Sequence, residues 1–157
     1  MEKFDKTMLS ISDDSGHLAL VNAERYKPFI GSDWNFEQLQ QRLTEQAKEK
    51  NIFIWATGAE GFQKVTVTLG PTTQSGSKEF RGEIEVTHGC LYLTNYEDLS
   101  MAAQFEEEKL PATHNSNLQI RLPNAVYNVA VRQLDFLDHA SEQAERINFE
   151  ICLTVKN

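Results

Sequence analysis

Apolar and polar residues alternate in short runs along most of this chain. From Lys6, KTMLSIS sets Leu9 and Ile11 on one side and Ser10 and Ser12 on the other; DDSG then offers turn chemistry before HLALVN, which predicts an opening hairpin. NIFIWATG is rich in β-branched and aromatic residues, GAEG turns, and FQKVTVTLG sets Val65, Val67 and Leu69 against Lys64, Thr66 and Thr68, which predicts a second hairpin. In FRGEIEVTHGCLYLTNY a two-residue turn at His88-Gly89 would pair Thr87 with Cys90, Val86 with Leu91 and Ile84 with Leu93, placing every apolar pair on one face. LQIRLPNAVYNVAVRQL reads as two strands meeting at a corner, Leu122 to Ala125, and INFEICLTV sets Ile147, Phe149, Ile151, Leu153 and Val155 on one face of a last strand.

Helical period is clear in one place, residues 35–50. There Phe36, Leu39, Leu43 and Ala47 recur at spacings of three and four, Asn35 or Asp33 can cap the N-terminus, Gln38 completes a capping box with Asn35, and Lys48 and Lys50 suit the C-terminal end. The connection ERYKPFIGSDW and the Gly-, Ser- and Thr-rich GPTTQSGSKE read as loops. NYEDLSMAAQFEEEKLPATHNSN reads as irregular with a short helical turn, and DFLDHASEQAER as a surface loop or one helical turn. About nine strands with one amphipathic helix and no βαβ alternation predict a mainly β fold, an antiparallel β-sandwich, in a single domain spanning 1–157.

Charge narrows the partners. A formal net charge of −8 argues against direct binding of DNA or RNA, which needs a basic face to release counterions, and is compatible with a basic protein partner. No run of about 18 apolar residues is present, and MEKFDKTMLSISDD lacks the apolar core of a secretory signal, so the cytoplasm is the expected compartment. Cys90 and Cys152 fall in predicted strands and are expected as free thiols.

Candidate chemistry is sparse. His17, His88, His114 and His139 are scattered rather than spaced as metal ligands, no Ser or Cys stands in a G-x-S-x-G elbow, and no glycine-rich loop opens the helix. Carboxylate pairs such as Glu83 with Glu85 fit a solvated strand face. Neither a metal nor a cofactor is expected. The most suggestive stretch gathers Glu97, Asp98, Glu106, Glu107 and Glu108 with Tyr96, Met101 and Phe105, aromatic and flexible apolar anchors ringed by acid, the composition of a surface that steers and then holds a basic protein.

Four stretches together carry a resemblance: LSIS at Leu9 to Ser12, DWNFEQLQQRL from Asp33, IFIWATGAEGFQKVTVTL, and RLPNAVYNVAV. In this order they resemble the bacterial competence protein J family, whose name-giving member inhibits the DNA-entry nuclease. That resemblance implies a β-sandwich and a non-enzymatic inhibitor or immunity protein directed at a nuclease or another toxin. Two features depart from the family pattern. Ala125 stands where the turn normally carries Gly, which implies a different turn conformation, and the Tyr96–Lys109 segment has no counterpart. A second reading stays open: a small-ligand-binding or enzymatic sandwich whose pocket is lined by Trp34, Trp55, Tyr92 and Tyr127.

Overall fold

The computed structural model describes residues 7–58, 60–70, 76–134 and 147–156. Nine strands and two helices follow in order: β1 (Thr7–Asp13), β2 (His17–Val21), α1 (Phe36–Lys48), β3 (Ile52–Ala56), β4 (Gly61–Leu69), β5 (Gly76–Val86), β6 (Cys90–Asn95), α2 (Tyr96–Gln104), β7 (Gln119–Arg121), β8 (Ala125–Leu134) and β9 (Phe149–Val155). A 3-10 turn at Thr113–Asn115 precedes β7. The loop expected over 135–146 lies outside the described residues, as do 71–75 of the loop expected after Leu69. Gly76–Glu79 of that loop already belong to β5.

The strands form two stacked sheets, one of five strands in the order β1-β4-β9-β8-β5 and one of four in the order β3-β2-β6-β7. Leu9, Ile11, Val65, Val67, Ile84, Tyr127, Val129, Phe149 and Ile151 on the first face Leu18, Leu20, Phe53, Trp55, Leu91 and Leu93 on the second, and together they form the buried core. Every neighbouring pair of strands is antiparallel except β4 and β9, which run parallel. β9 lies between β4 and β8, so Glu150 and Cys152 on its other side are buried too. Ile147 precedes this strand and Val155 ends it exposed, which shortens the expected apolar face at both ends.

The three predicted hairpins are not hairpins. β1 pairs with β4 and β2 with β3 and β6, so the turn after Asp13 carries the chain from one sheet to the other. The same holds between β3 and β4, and between β5, which pairs with β8, and β6, which pairs with β2 and β7. The physical reason is that alternation fixes which side of a strand is apolar, not which strand receives its hydrogen bonds. In a hairpin the apolar sides lie together on one face; in an arch they face each other across the interior. Ile84, Val86, Leu91 and Leu93 do share one core, contributed by opposite sheets.

The corner at Leu122–Ala125 is a fourth crossing, from β7 to β8. It stacks on the β5–β6 arch: the Leu122 N–H donates to the Gly89 carbonyl at 3.1 Å, and the Gly89 N–H donates to Asn124 Oδ1 at 2.7 Å. Gly89 sits at φ 72°, a conformation that side chains resist, whereas Ala125 is the first residue of β8 and has no positive φ. The buried Tyr127 donates its hydroxyl to the Pro123 carbonyl at 2.7 Å and so fixes the bend from inside.

The β1–β2 and β3–β4 arches form a matching pair around Asp13, which is fully buried. Its Oδ1 accepts from the N–H groups of Ser15 and Gly16, at 3.0 and 2.9 Å, and from the Ser15 hydroxyl, while Oδ2 accepts from the Thr57 hydroxyl at 2.8 Å. The Thr57 N–H donates to the Gly16 carbonyl at 2.8 Å and joins the two arches directly.

Both helices lie on the outer face of the four-stranded sheet, because the β2–β3 and β6–β7 connections, each between neighbours of that sheet, carry them. Leu39 and Leu43 of α1 and Leu99, Ala102 and Ala103 of α2 pack there on Ala19, Val21 and Ile52. α1 is capped as expected, with the Asn35 side chain accepting from the Gln38 N–H and the Gln38 side chain accepting from the Asn35 N–H, both at 2.9 Å. Its buried side is rotated from the expected stripe: Gln46 is buried, bonded by Asn51 Nδ2, while Phe36 and Ala47 are exposed.

Where β3 and β5 close one side of the sandwich, Gly82 of β5 lies under the Phe53 ring, so close that an added Cβ would stand 2.6 Å from Cε1. Gly82→Ala is expected to cost about 1–3 kcal/mol by overpacking, and Phe53→Leu in the same chain to recover much of it, read as a coupling in a double-mutant cycle by urea unfolding. Tyr127→Phe is expected to cost about 1 kcal/mol in the same measurement, the net contribution of one hydrogen bond.

Candidate functional site

Of the segment singled out for its mixture of acids and apolar anchors, Tyr96–Gln104 folds as α2, a full helix rather than a short turn, and Phe105 to Glu108 follow it. Asn95 caps it: its Oδ1 accepts from the Asp98 N–H at 2.9 Å while its Nδ2 donates to the Ser12 carbonyl at 2.8 Å, tying the helix start to β1. Leu99, Ala102 and Ala103, at helical spacing, supply the buried side. At the other end the Ala103 carbonyl accepts from the N–H groups of Ile30 and Gly31 at 2.8 and 3.0 Å, and Gln104 Oε1 accepts from Trp34 Nε1 at 3.3 Å. α2 is therefore held at both ends.

The eight candidate residues divide into two groups. Tyr96 is half-buried with its ring 6.0 Å from that of His17, and burial raises its hydroxyl above the usual tyrosine value. Glu97 turns back to accept the Asp14 N–H. Asp98 is buried, with Oδ2 accepting from Asn115 Nδ2 at 2.7 Å and Oδ1 lying 3.0 Å from His114 Nε2. These three serve the local structure. Met101 and Phe105 are 46% and 37% exposed, and Glu106, Glu107 and Glu108 follow in solvent, held in a turn by the Glu108 N–H donating to the Phe105 carbonyl at 3.0 Å.

Sequence reasoning missed Phe29. It is 39% exposed on the loop whose next residue, Ile30, bonds the end of α2, and Arg42 Nη1 fixes that loop by donating to the carbonyls of Lys27 and Phe29 at 2.6 and 3.0 Å. Tyr26, Ile30 and Trp34 of the same connection turn to the helix-side core, and nothing in the sequence separates Phe29 from them. The result is a surface at the C-terminal end of α2 on which large apolar side chains stand beside three glutamates.

Of the four aromatics expected to line a pocket, Trp55 and Tyr127 lie in the core and Trp34 and Tyr92 pack beneath the helices. A cavity lies elsewhere. It is a groove of about 680 Å3 along α1, walled by Phe36, Leu43, Ala47 and Lys48 on one side and by His17 and Tyr96 on the other. Cys90 and Cys152 lie in different sheets, and no disulfide joins them. Among the described residues no group of three or more His, Cys, Asp or Glu converges to hold a metal ion, and no helix is long and apolar enough to cross a membrane. Glu83 and Glu85 are ion-paired rather than merely solvated. Glu83 lies 2.9 Å from Lys156 Nζ and 3.7 Å from Lys50 Nζ, and the hydrogen bond from Lys156, reinforced by both positive charges, holds its carboxyl below the usual range; Glu85 lies 3.8 Å from Arg25.

No protein-family model matches the chain, and no curated protein matches it in sequence. Solved structures do match in fold, over nearly the whole length. A protein described as crocagin biosynthetic gene J superposes with a TM-score of 0.64 at 12% identity, covering 99% of this chain and 98% of that one. ComJ from Bacillus subtilis, described as an inhibitor of the DNA degrading activity of NucA, superposes with a TM-score of 0.56 at 10% identity, covering 99% of this chain and all of that one. The chain thus has a ComJ-like sandwich fold.

The division of the site is testable without a partner. Asp98→Ala removes the acceptor of two side chains and is expected to cost about 2–3 kcal/mol in urea unfolding, whereas Phe105→Ala is expected to stay within about 0.5 kcal/mol of wild type.

Proposed function

We propose that this chain is a non-catalytic, protein-binding sandwich that works in the cytoplasm as an inhibitor or immunity protein against a basic partner, a nuclease or another toxin. The observation that carries this reading is the exposed surface at the end of α2, a helix held at both ends, where Met101 in its last turns and Phe105 just beyond it stand beside Glu106, Glu107 and Glu108. Apolar anchors on a fixed support lose little conformational freedom on binding, and the glutamates speed encounter with a basic surface. A net charge of −8 favours the same class of partner. The full-length likeness to an inhibitor of a DNA-degrading activity supports the choice of a nuclease as the first partner to try, and a distant relation to the competence protein J family is part of the same reading.

The test is capture from nuclease-treated lysate of the host on immobilised protein, eluted by a salt gradient, followed by assay of the captured protein's activity. Wild type is expected to retain one basic protein at stoichiometric yield and to suppress its activity. Reversing Glu106, Glu107 and Glu108 to Lys is expected to slow association about tenfold or more and flatten its salt dependence, and Phe105→Ala to speed dissociation by about tenfold. A folded bait that retains nothing, or variants that bind as wild type does, would contradict the reading.

A further inference from the structure

We propose that the groove along α1 binds a single-chain carboxylate amphiphile, a free fatty acid in chemical class. This inference does not rest on the partner-binding reading.

Three observations lead to it. The first is that α1 turns apolar surface away from the core. Phe36 is 63% exposed and Ala47 is exposed too, and both line the groove together with Leu43 and the half-buried Ile54 of the underlying sheet. Phe36 and Ala47 belong to the apolar stripe of the helix, yet the sheet buries only Leu39 and Leu43 of that stripe.

The second is shape. The wall from Phe36 to Lys48 spans about 18 Å at 1.5 Å per residue. The groove holds about 680 Å3 along that length and is open to solvent on one side, and most of the wall it exposes is apolar. An extended peptide would bring an N–H and a carbonyl with every residue, and the neutral side chains that could meet them, Ser15, Gln40 and Thr44, leave most of the exposed wall apolar. A hydrocarbon chain makes no such demand.

The third is charge. Lys48 stands at one end of the groove and forms no ion pair among the described residues, so its ammonium is available to a carboxylate at the end of a chain lying against Leu43, Ala47 and Phe36. The paired rings of His17 and Tyr96 complete the opposite wall. A protein with a net charge of −8 has no general attraction for anions, so preference for a carboxylate would report this one lysine.

The test is calorimetric titration with dodecanoate, kept below its aggregation concentration, against dodecan-1-ol as the uncharged control and phosphatidylglycerol vesicles as the bilayer control. Ala47→Trp fills the groove from an exposed helix position, Lys48→Glu reverses the charge, and circular dichroism verifies that both remain folded. One saturable site is expected, with dodecanoate bound roughly fivefold more tightly than the alcohol. Lys48→Glu is expected to abolish that preference while leaving the alcohol bound, and Ala47→Trp to weaken both by more than about tenfold. Absence of saturable binding by folded wild type, binding of vesicles alone, or dodecanoate affinity unchanged in Ala47→Trp or Lys48→Glu would overturn the proposal.

Discussion

The buried carboxylate of Asp13 is the contact on which the architecture turns. The chain crosses between the two sheets four times, and a crossing, unlike a hairpin, receives no ladder of hydrogen bonds from its own two strands. Its backbone groups must be satisfied some other way. At the first pair of arches Asp13 meets that need by accepting from Ser15, Gly16 and Thr57, joining two crossings through one side chain. At the second pair Asn124 and the Tyr127 hydroxyl do corresponding work. A buried carboxylate is tolerable only when so surrounded, and the same surroundings specify which turn stacks on which.

The order of crossings then decides where a binding surface can be. Once the arches put β2, β3, β6 and β7 in one sheet, the two long connections within that sheet must pass over its outer face, and each contains a helix. α2 inherits its position from Asn95, which caps the helix and bonds β1, and from Ala103 and Gln104, which receive the 22–35 loop. The acid-rich turn after Phe105 is thereby presented on a support anchored in the core.

Much of this was legible in the sequence. Alternation located the strands, Asn35 and Gln38 marked the start of α1, and Pro123-Asn124 marked a corner. What alternation could not carry was the identity of each strand's partner, since an arch and a hairpin bury the same residues; His88-Gly89 satisfied every rule for a two-residue hairpin and still links different sheets. α2 was under-read because its apolar side is small, Leu99 with two alanines, although Asn95 and Asp98 carried a capping signal. Nor could composition tell that Asp98 and Glu97 bond inward while Glu106 to Glu108 face solvent, for that depends on Asn115, His114 and Asp14, which are distant in the chain. The groove arises from a rotation of α1 that buries Gln46 in place of Ala47, a choice made by Asn51 and the Lys27 N–H.

The central claim is that binding occurs on the end of α2 while the two sheets serve as its support. Amide hydrogen exchange of the chain alone and in complex with its captured partner addresses this most directly. The account predicts added protection in one block from Met101 to Lys109, extending to the Phe29 loop, with the strands unchanged. Protection confined to the outer face of the five-stranded sheet, or spread over the core strands without change at Phe105 to Glu108, would contradict it.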